Sequence, residues 1–232
     1  MNQEELKAVF DNQASGYEAQ QQKLAPIHQG LYFQLEWILS ELPQNAHVVC
    51  VGLGAGAELS YLASRFPHWR FTAVEPSGAM LDVCRARAQK EGFVSRCEFH
   101  QGYLESLPQT ERYDAATCFM VSQFFVDRTE RSEFFAQIAE RLKSNGLLVS
   151  ADLSSDMDSS EYRALLNVWV NMLHEGKRPK DAVEKTHSSW KKDVAILPPE
   201  EVKTIISKGE FEAVTQFYQA GLVHAWFARK SK

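Results

Sequence analysis

The sequence predicts an α/β protein with a doubly wound, mostly parallel sheet of seven strands that closes with a C-terminal antiparallel hairpin. Short β-branched runs alternate with amphipathic stretches as far as residue 152, which is typical of parallel strands joined by helices. A glycine-rich turn follows the first of these runs. Two late runs flank a tight turn at residues 219–221, and this arrangement predicts the hairpin.

Composition narrows the function classes. The chain has 232 residues, of which 44% are hydrophobic and 24% charged, so it has enough apolar residues for a packed core. The formal net charge of -5 does not favour nucleic acid as a partner. No stretch resembles a signal peptide or a membrane span, so we expect a cytoplasmic protein that does not bind membranes, either a monomer or a homodimer. The four cysteines form no CxxC pair, which predicts buried thiols and no metal site.

The predicted elements follow from hydrophobic periodicity and from turn residues. The strands are 47–51, 70–75, 96–100, 113–119, 147–152, 211–218 and 222–229. The helices are 57–66, 77–91, 128–143, 161–174 and 198–207. Ser77 is the predicted N-cap of the second helix, and Asn145-Gly146 is expected to separate the third helix from the strand after it.

Four segments are expected along the chain. Residues 1–45 form a helical cap, in which Trp37, Ile38 and Leu42 share one face, and residues 46–152 form the α/β core. Residues 153–196 form a helical and irregular insertion that is predicted to act as a lid. Residues 197–232 supply a helix and the hairpin that completes the sheet.

The glycine turn, Gly52-Leu53-Gly54-Ala55-Gly56, indicates a ligand site. It follows a buried strand and opens a helix, so a ligand can approach the backbone and meet unpaired N–H groups. Glu75 ends the next strand, where a carboxylate can accept hydrogen bonds from a ribose diol. Two cofactors fit this pattern, a nicotinamide dinucleotide and S-adenosylmethionine (SAM).

Three features favour SAM. The hairpin would leave an antiparallel strand in the sheet, which a dinucleotide fold does not need. Glu75-Pro76-Ser77 leads directly from strand to helix and makes a short shelf for an adenine ring. The chain is also short for a dehydrogenase with a separate substrate domain.

The stretches VGLGAG (51–56), AVEPSGAML (73–81), HQGYLESLP (100–108), YDAATC (113–118) and LKSNGLLVSADL (142–153) together resemble the class I SAM-dependent methyltransferase family. FDNQASGYE (10–18) resembles an element that precedes this fold in small-molecule methyltransferases. The resemblance implies a Rossmann-like methyltransferase fold. It also implies transfer of the SAM methyl group to a small-molecule acceptor, with S-adenosylhomocysteine (SAH) as the product.

The resemblance also implies a set of cofactor contacts, grouped by the part of SAM that each would bind. These are Gly52, Gly54, Gly56 and Tyr17 at the methionine end, Glu75 at the ribose, Pro76, Met80, Gly102, Tyr103 and Leu104 around the adenine, and Cys118 and Phe119 on the floor. Two positions depart from the family. Cys50 and Tyr103 stand where acidic residues are usual, which leaves a non-catalytic SAM-binding module as an alternative.

The acceptor side is predicted from residues that follow strand ends or lie in the insertion. Gln123, Phe124, Asp152 and Trp190 are the expected substrate contacts, and His187 is the candidate general base. Basic residues outnumber acidic ones in 177–193, which predicts a solvated face or, alternatively, a surface that attracts an anionic acceptor. FMVSQFF and the helix after it also resemble bacterial enzymes that modify the tRNA wobble uridine. A tRNA-modifying enzyme and an NAD-dependent oxidoreductase therefore remain alternatives.

Overall fold

The computed structural model describes residues 3–109 and 112–231. The strands are β1 (His47–Val51), β2 (Arg70–Glu75), β3 (Cys97–Gln101), β4 (Tyr113–Phe119), β5 (Leu142–Leu153), β6 (Phe211–Ala220) and β7 (Val223–Lys230). The α-helices are α1 (Gln3–Gln22), α2 (Ala25–Leu39), α3 (Ala57–Arg65), α4 (Gly78–Lys90), α5 (Arg128–Arg141), α6 (Ser160–Leu173), α7 (Ala182–Asp193) and α8 (Pro199–Lys208). Short 3-10 turns cover Val94–Arg96, Leu104–Ser106 and Ser122–Phe124.

The strands form one sheet in the order β3-β2-β1-β4-β5-β7-β6. Strands β1 to β5 pair in parallel, whereas β7 pairs antiparallel with both β5 and β6. The predicted fold, including the terminal hairpin, is confirmed. The strand order reverses between β1 and β4, and in such sheets a crevice opens at the carboxyl ends of the strands on either side of the reversal.

The central strands of the sheet are buried on both faces, because helices cover them on each side. All five residues of β1 are buried, as expected for a central parallel strand. One apolar layer lies between the sheet and helices α5 and α8, and the other between the sheet and helices α2, α3 and α4. At the start of α4, Ser77 Oγ accepts a hydrogen bond from Met80 N at 3.2 Å, so the predicted N-cap is present.

Three local predictions were wrong. Helix α5 ends at Arg141, and β5 starts at Leu142 rather than 147, because an irregular register beside Tyr113 accommodates Asn145 with φ of 67°. The insertion contains helix α7 where an irregular stretch was expected. Trp37 is 63% exposed, because α2 buries Leu31, Leu35 and Leu39 instead.

Candidate functional site

A cavity of about 510 Å³ opens at the carboxyl ends of β1, β2 and β4. It is of the size that small-molecule and cofactor sites commonly have. Ten of the predicted site residues line it, and they come from α1, the glycine turn and the loops that follow β2, β3 and β4. They are Tyr17, Gly52, Gly54, Glu75, Pro76, Gly102, Tyr103, Leu104, Phe119 and Phe124.

The glycine turn adopts a backbone conformation in which an added Cβ atom would contact neighbouring side chains. Gly52 has φ of 64°, and a Cβ atom there would lie 2.5 Å from Val121 Cγ2. Gly54 has φ of 55°, and a Cβ atom there would lie 3.4 Å from Tyr17 Oη. These left-handed conformations favour glycine, and they keep the turn open to the cavity.

Glu75 joins the turn to the end of β2. Its Oε2 accepts a hydrogen bond from Gly54 N at 2.9 Å, and its Oε1 accepts one from Ser77 N at 2.9 Å. Burial raises the pKa of this carboxyl group, while the two backbone N–H groups act in the opposite direction. The carboxylate thus points toward the glycine turn and lines the cavity, and its contact with a ribose stays a prediction.

Helix α1 lies along one side of the cavity and contributes Gln3, Leu6, Lys7, Phe10 and Tyr17 to its lining. The sequence prediction included only Tyr17. The others could have been found from their helical spacing, which places them on one face with Tyr17.

Three contacts hold α1 in place. Tyr103 Oη donates to the carbonyl oxygen of Gln3 at 2.7 Å, and Ser77 Oγ donates to Asp11 Oδ1 at 2.6 Å. The Phe10 and Phe124 rings meet edge to face with centroids 5.8 Å apart. Tyr103 is therefore engaged with α1, and stacking on an adenine ring stays a prediction.

Tyr17 places a neutral hydroxyl above the glycine turn. Burial raises the pKa of Tyr17 to about 12, with a further contribution from the nearby charge of Glu75. The phenol therefore stays protonated at neutral pH and can donate a hydrogen bond.

Three predicted cofactor residues lie outside the cavity lining. Met80 is fully buried and packs beneath α1 with Ala14 and Ala55. Gly56 is the N-cap of α3 with φ of 76°. Cys118 is fully buried, and burial raises the pKa of its thiol well above the usual value. Any contribution of these residues to cofactor binding stays a prediction.

The predicted substrate residues divide between the cavity and the protein interior. Phe124 lines the cavity, whereas Gln123 and Asp152 are buried and bonded within the protein. Trp190 packs edge to face against Trp169, with ring centroids 6.0 Å apart.

His187 lies outside the cavity lining. Its Nδ1 is 3.2 Å from Tyr162 Oη, and both residues belong to the insertion. The role of His187 as a general base stays a prediction.

A buried carboxyl group that the sequence reading missed lies close to Cys50. Glu58, in the first turn of α3, accepts a hydrogen bond from Thr117 Oγ1 at 2.6 Å and also bonds the Cys50 thiol. Burial raises the pKa of Glu58 to about 7. An acidic group is therefore present beside the position where the sequence has cysteine, but it comes from the helix. The sequence pattern of helix α3 does not indicate that Glu58 is buried beside Cys50.

Residues 3–109 and 112–231 contain neither a candidate metal site nor a candidate membrane span. No cluster of three or more His, Cys, Asp or Glu side chains there could hold a metal ion. No helix in the same residues is long and apolar enough to cross a membrane.

Residues 48–146 match the family model described as a methyltransferase domain, and they include the glycine turn and Glu75. The matched segment is therefore similar to a methyltransferase domain. It contains β1 to β4, the start of β5 and every cavity-lining residue outside α1.

Solved methyltransferases share this fold. An O-methyltransferase from Nostoc punctiforme superposes with a TM-score of 0.69 at 15% identity, covering 96% of this chain and 60% of that one. An O-methyltransferase family 2 protein from Planctomyces limnophilus, solved with apigenin, gives 0.64 at 15% identity and covers 99% and 62%. Human N-acetylserotonin methyltransferase, solved with SAM, gives 0.57 at 14% identity and covers 83% and 49%. The chain spans about half to two thirds of these proteins.

Two curated relatives match part of the chain. The release factor glutamine methyltransferase of Synechocystis is 44% identical over 63 residues, which are 26% of this chain and 21% of that protein. Its counterpart from Coxiella burnetii is 31% identical over 80 residues, or 33% and 28% of the two chains. The chain thus covers about a quarter of these relatives.

Proposed function

We propose that this protein transfers the methyl group of SAM to a small-molecule acceptor. The observation that carries the proposal is the continuous cavity from the glycine turn, past Glu75 and Pro76, to Gly102 and Leu104. It joins the regions that an amino-acid tail, a ribose and an adenine ring would need, in the order in which SAM contains them.

The residues present fit this cofactor. The bare backbone at Gly52 and Gly54 leaves room that a Cβ atom would fill, and the Glu75 carboxylate beside the turn can accept hydrogen bonds from hydroxyl groups. Pro76 and Leu104 provide apolar surface for the adenine ring. When bound, SAM supplies a methyl group that is already activated on a sulfonium.

The chain's own contribution is then to orient the acceptor and to exclude water. Phe10 and Phe124 meet across the cavity, and Phe119 ends β4 on the same lining. Together with Met120 they form an apolar wall. Such a wall favours a small acceptor with an apolar or aromatic body, since burial of its surface stabilises the complex.

Calorimetric titration tests the proposal at the level of the cofactor. SAM and SAH are expected to bind, and NADH is expected to produce no heat. A panel of phenols, carboxylates, amines and thiols, assayed for SAH release, then identifies the acceptor class. Binding of NADH without binding of SAM would overturn the proposal.

A protein acceptor is the second candidate, because the curated relatives named above modify a glutamine of release factors. Incubation of the protein with tritiated SAM and a purified release factor distinguishes the two. Label in the release factor, with no small molecule of the panel methylated, would favour this candidate.

A further inference from the structure

The loop after β4 has two sides with different roles. Five of its residues line the cavity: Met120, Val121, Phe124, Phe125 and Val126. Ser122 and Gln123, which lie between them, are buried and face the protein interior. The same short segment therefore presents one surface to the ligand and is attached to the core through the other.

The attachment point is a buried ion pair. Arg131 NH2 lies 3.2 Å from Asp152 Oδ2, and both side chains are fully buried. Asp152 Oδ2 accepts a hydrogen bond from Ser122 Oγ at 2.6 Å, and Asp152 Oδ1 accepts one from Gln123 N at 3.1 Å. Arg131 Nε donates to Ser122 Oγ at 3.0 Å, so both charged groups bind the loop as well as each other.

The insertion is attached to the same group of residues. Arg131 NH1 donates to the carbonyl oxygen of Ala195 at 3.0 Å, and Ala195 N donates to the carbonyl oxygen of Gln123 at 2.7 Å. Gln123 Oε1 accepts from Leu153 N at 2.8 Å. The end of β5, the loop after β4 and the end of the insertion thus meet at one polar cluster.

Burying two charges has a large desolvation cost, and apolar residues often replace such pairs without loss of stability. A buried pair is therefore weak evidence for a role in stability alone. We propose that Arg131 and Asp152 are positioning residues. They hold the loop after β4 in place beside the cavity, and in this way they set the affinity of the protein for its ligand. This inference rests on the proposed function for the identity of the ligand.

The deciding variant is R131M/D152L, which replaces the charges by apolar groups and removes the hydrogen bonds that the two charged side chains make to Ser122 and Gln123. If the pair has only a structural role, a double variant with a near-native thermal midpoint should bind SAH as tightly as the wild type. A positioning role predicts a near-native thermal midpoint but roughly ten-fold weaker binding of SAH. Hydrogen exchange of the ligand-free variant is expected to be faster in residues 119–126 than in the wild type.

Ser122→Ala is the second variant, for the case that the double substitution prevents folding. It removes two hydrogen bonds and leaves the ion pair, so a smaller loss of affinity and faster exchange in 119–126 are expected. Asp114→Asn is the matched control. It changes a buried carboxylate to an amide near the amino end of β4, away from the cavity. SAH affinity and hydrogen exchange in residues 119–126 are both expected to stay at the wild-type level.

The outcomes separate the two proposals. A folded R131M/D152L or Ser122→Ala protein with wild-type SAH affinity and wild-type exchange in 119–126 would overturn the positioning role. A wild-type protein that does not bind SAH would contradict the proposed function. In that case the exchange of the ligand-free variants still decides whether the pair fixes the loop.

Discussion

The two ends of the parallel strands use buried carboxylates in different ways. At the amino end, Asp114 accepts a hydrogen bond from His47 N at 2.9 Å and pairs with Lys143 Nζ at 2.8 Å, so its charge has a cation beside it. At the carboxyl end, Glu75 and Glu58 have only hydrogen-bond donors in the contacts described above. Burial raises the pKa of both.

The difference indicates separate purposes. The Asp114 carboxylate, with Lys143 and a backbone N–H group beside it, joins neighbouring strands away from the cavity. At the carboxyl end Asp152 also has a cation, but it binds the loop after β4 as well. Carboxyl groups that are buried without a cation cost stability, and such groups concentrate at functional sites. The predictions below compare the two ends directly.

The largest expected effect concerns the stability contribution of Glu58. Its pKa is about 7 in the folded protein and 4.5 in the unfolded chain, so the folded state holds more protons between these values. Stability from this group is present below pH 4.5 and is lost as the pH rises to 7, by about 3 kcal/mol. Glu58→Gln is expected to remove this loss. Urea unfolding at pH 5 and pH 8 measures it, and equal pH dependence in wild type and variant would contradict it.

Glu75→Gln is expected to weaken SAH binding by about 10- to 100-fold, the usual cost of losing hydrogen bonds to a charged group. The amide keeps the shape of the side chain but not its negative charge. Asp114→Asn is the matched control and is expected to lower the thermal midpoint without affecting binding. Calorimetric titration of both variants checks this, and equal affinities in the two variants would count against a ligand role for Glu75.

A third comparison uses two glycines with the same backbone conformation. Gly54 and Gly221 have φ of 55° and 58°, and a Cβ atom at Gly221 would contact nothing within 4 Å. Alanine at either site should cost about 1 kcal/mol of stability. Only Gly54→Ala, which lies beneath Tyr17, should also weaken SAH binding, by about ten-fold. If Gly221→Ala weakens binding equally, the effect belongs to global stability.

The smallest effect is expected for His187→Ala. Because this residue contacts Tyr162 and lies outside the cavity lining, SAH affinity should stay within about two-fold of the wild type. Once an acceptor is known, the pH profile of kcat tests the predicted base. An acidic limb that disappears in the variant would support that role.

The sequence was sufficient to predict the geometry of the candidate site where that geometry follows from neighbouring residues. The turn at 52–56 is defined by glycines between a strand and a helix, and Glu75 by its place at the end of the next strand. It was insufficient where distant segments meet. Nothing local in Asp152 shows that Arg131, on another element, is paired with it. Nothing in α3 shows that Glu58 reaches Thr117 on β4.

Helix α1 has a kinetic consequence for whatever occupies the cavity. We expect its contacts from Tyr103 and Ser77 to open before a ligand the size of SAM enters or leaves beside Tyr17. Exchange would then be limited by that opening, so the observed association rate constant should reach a plateau at high ligand concentration. Tight retention of the product between turnovers would follow from the same contacts, even where equilibrium affinity is modest.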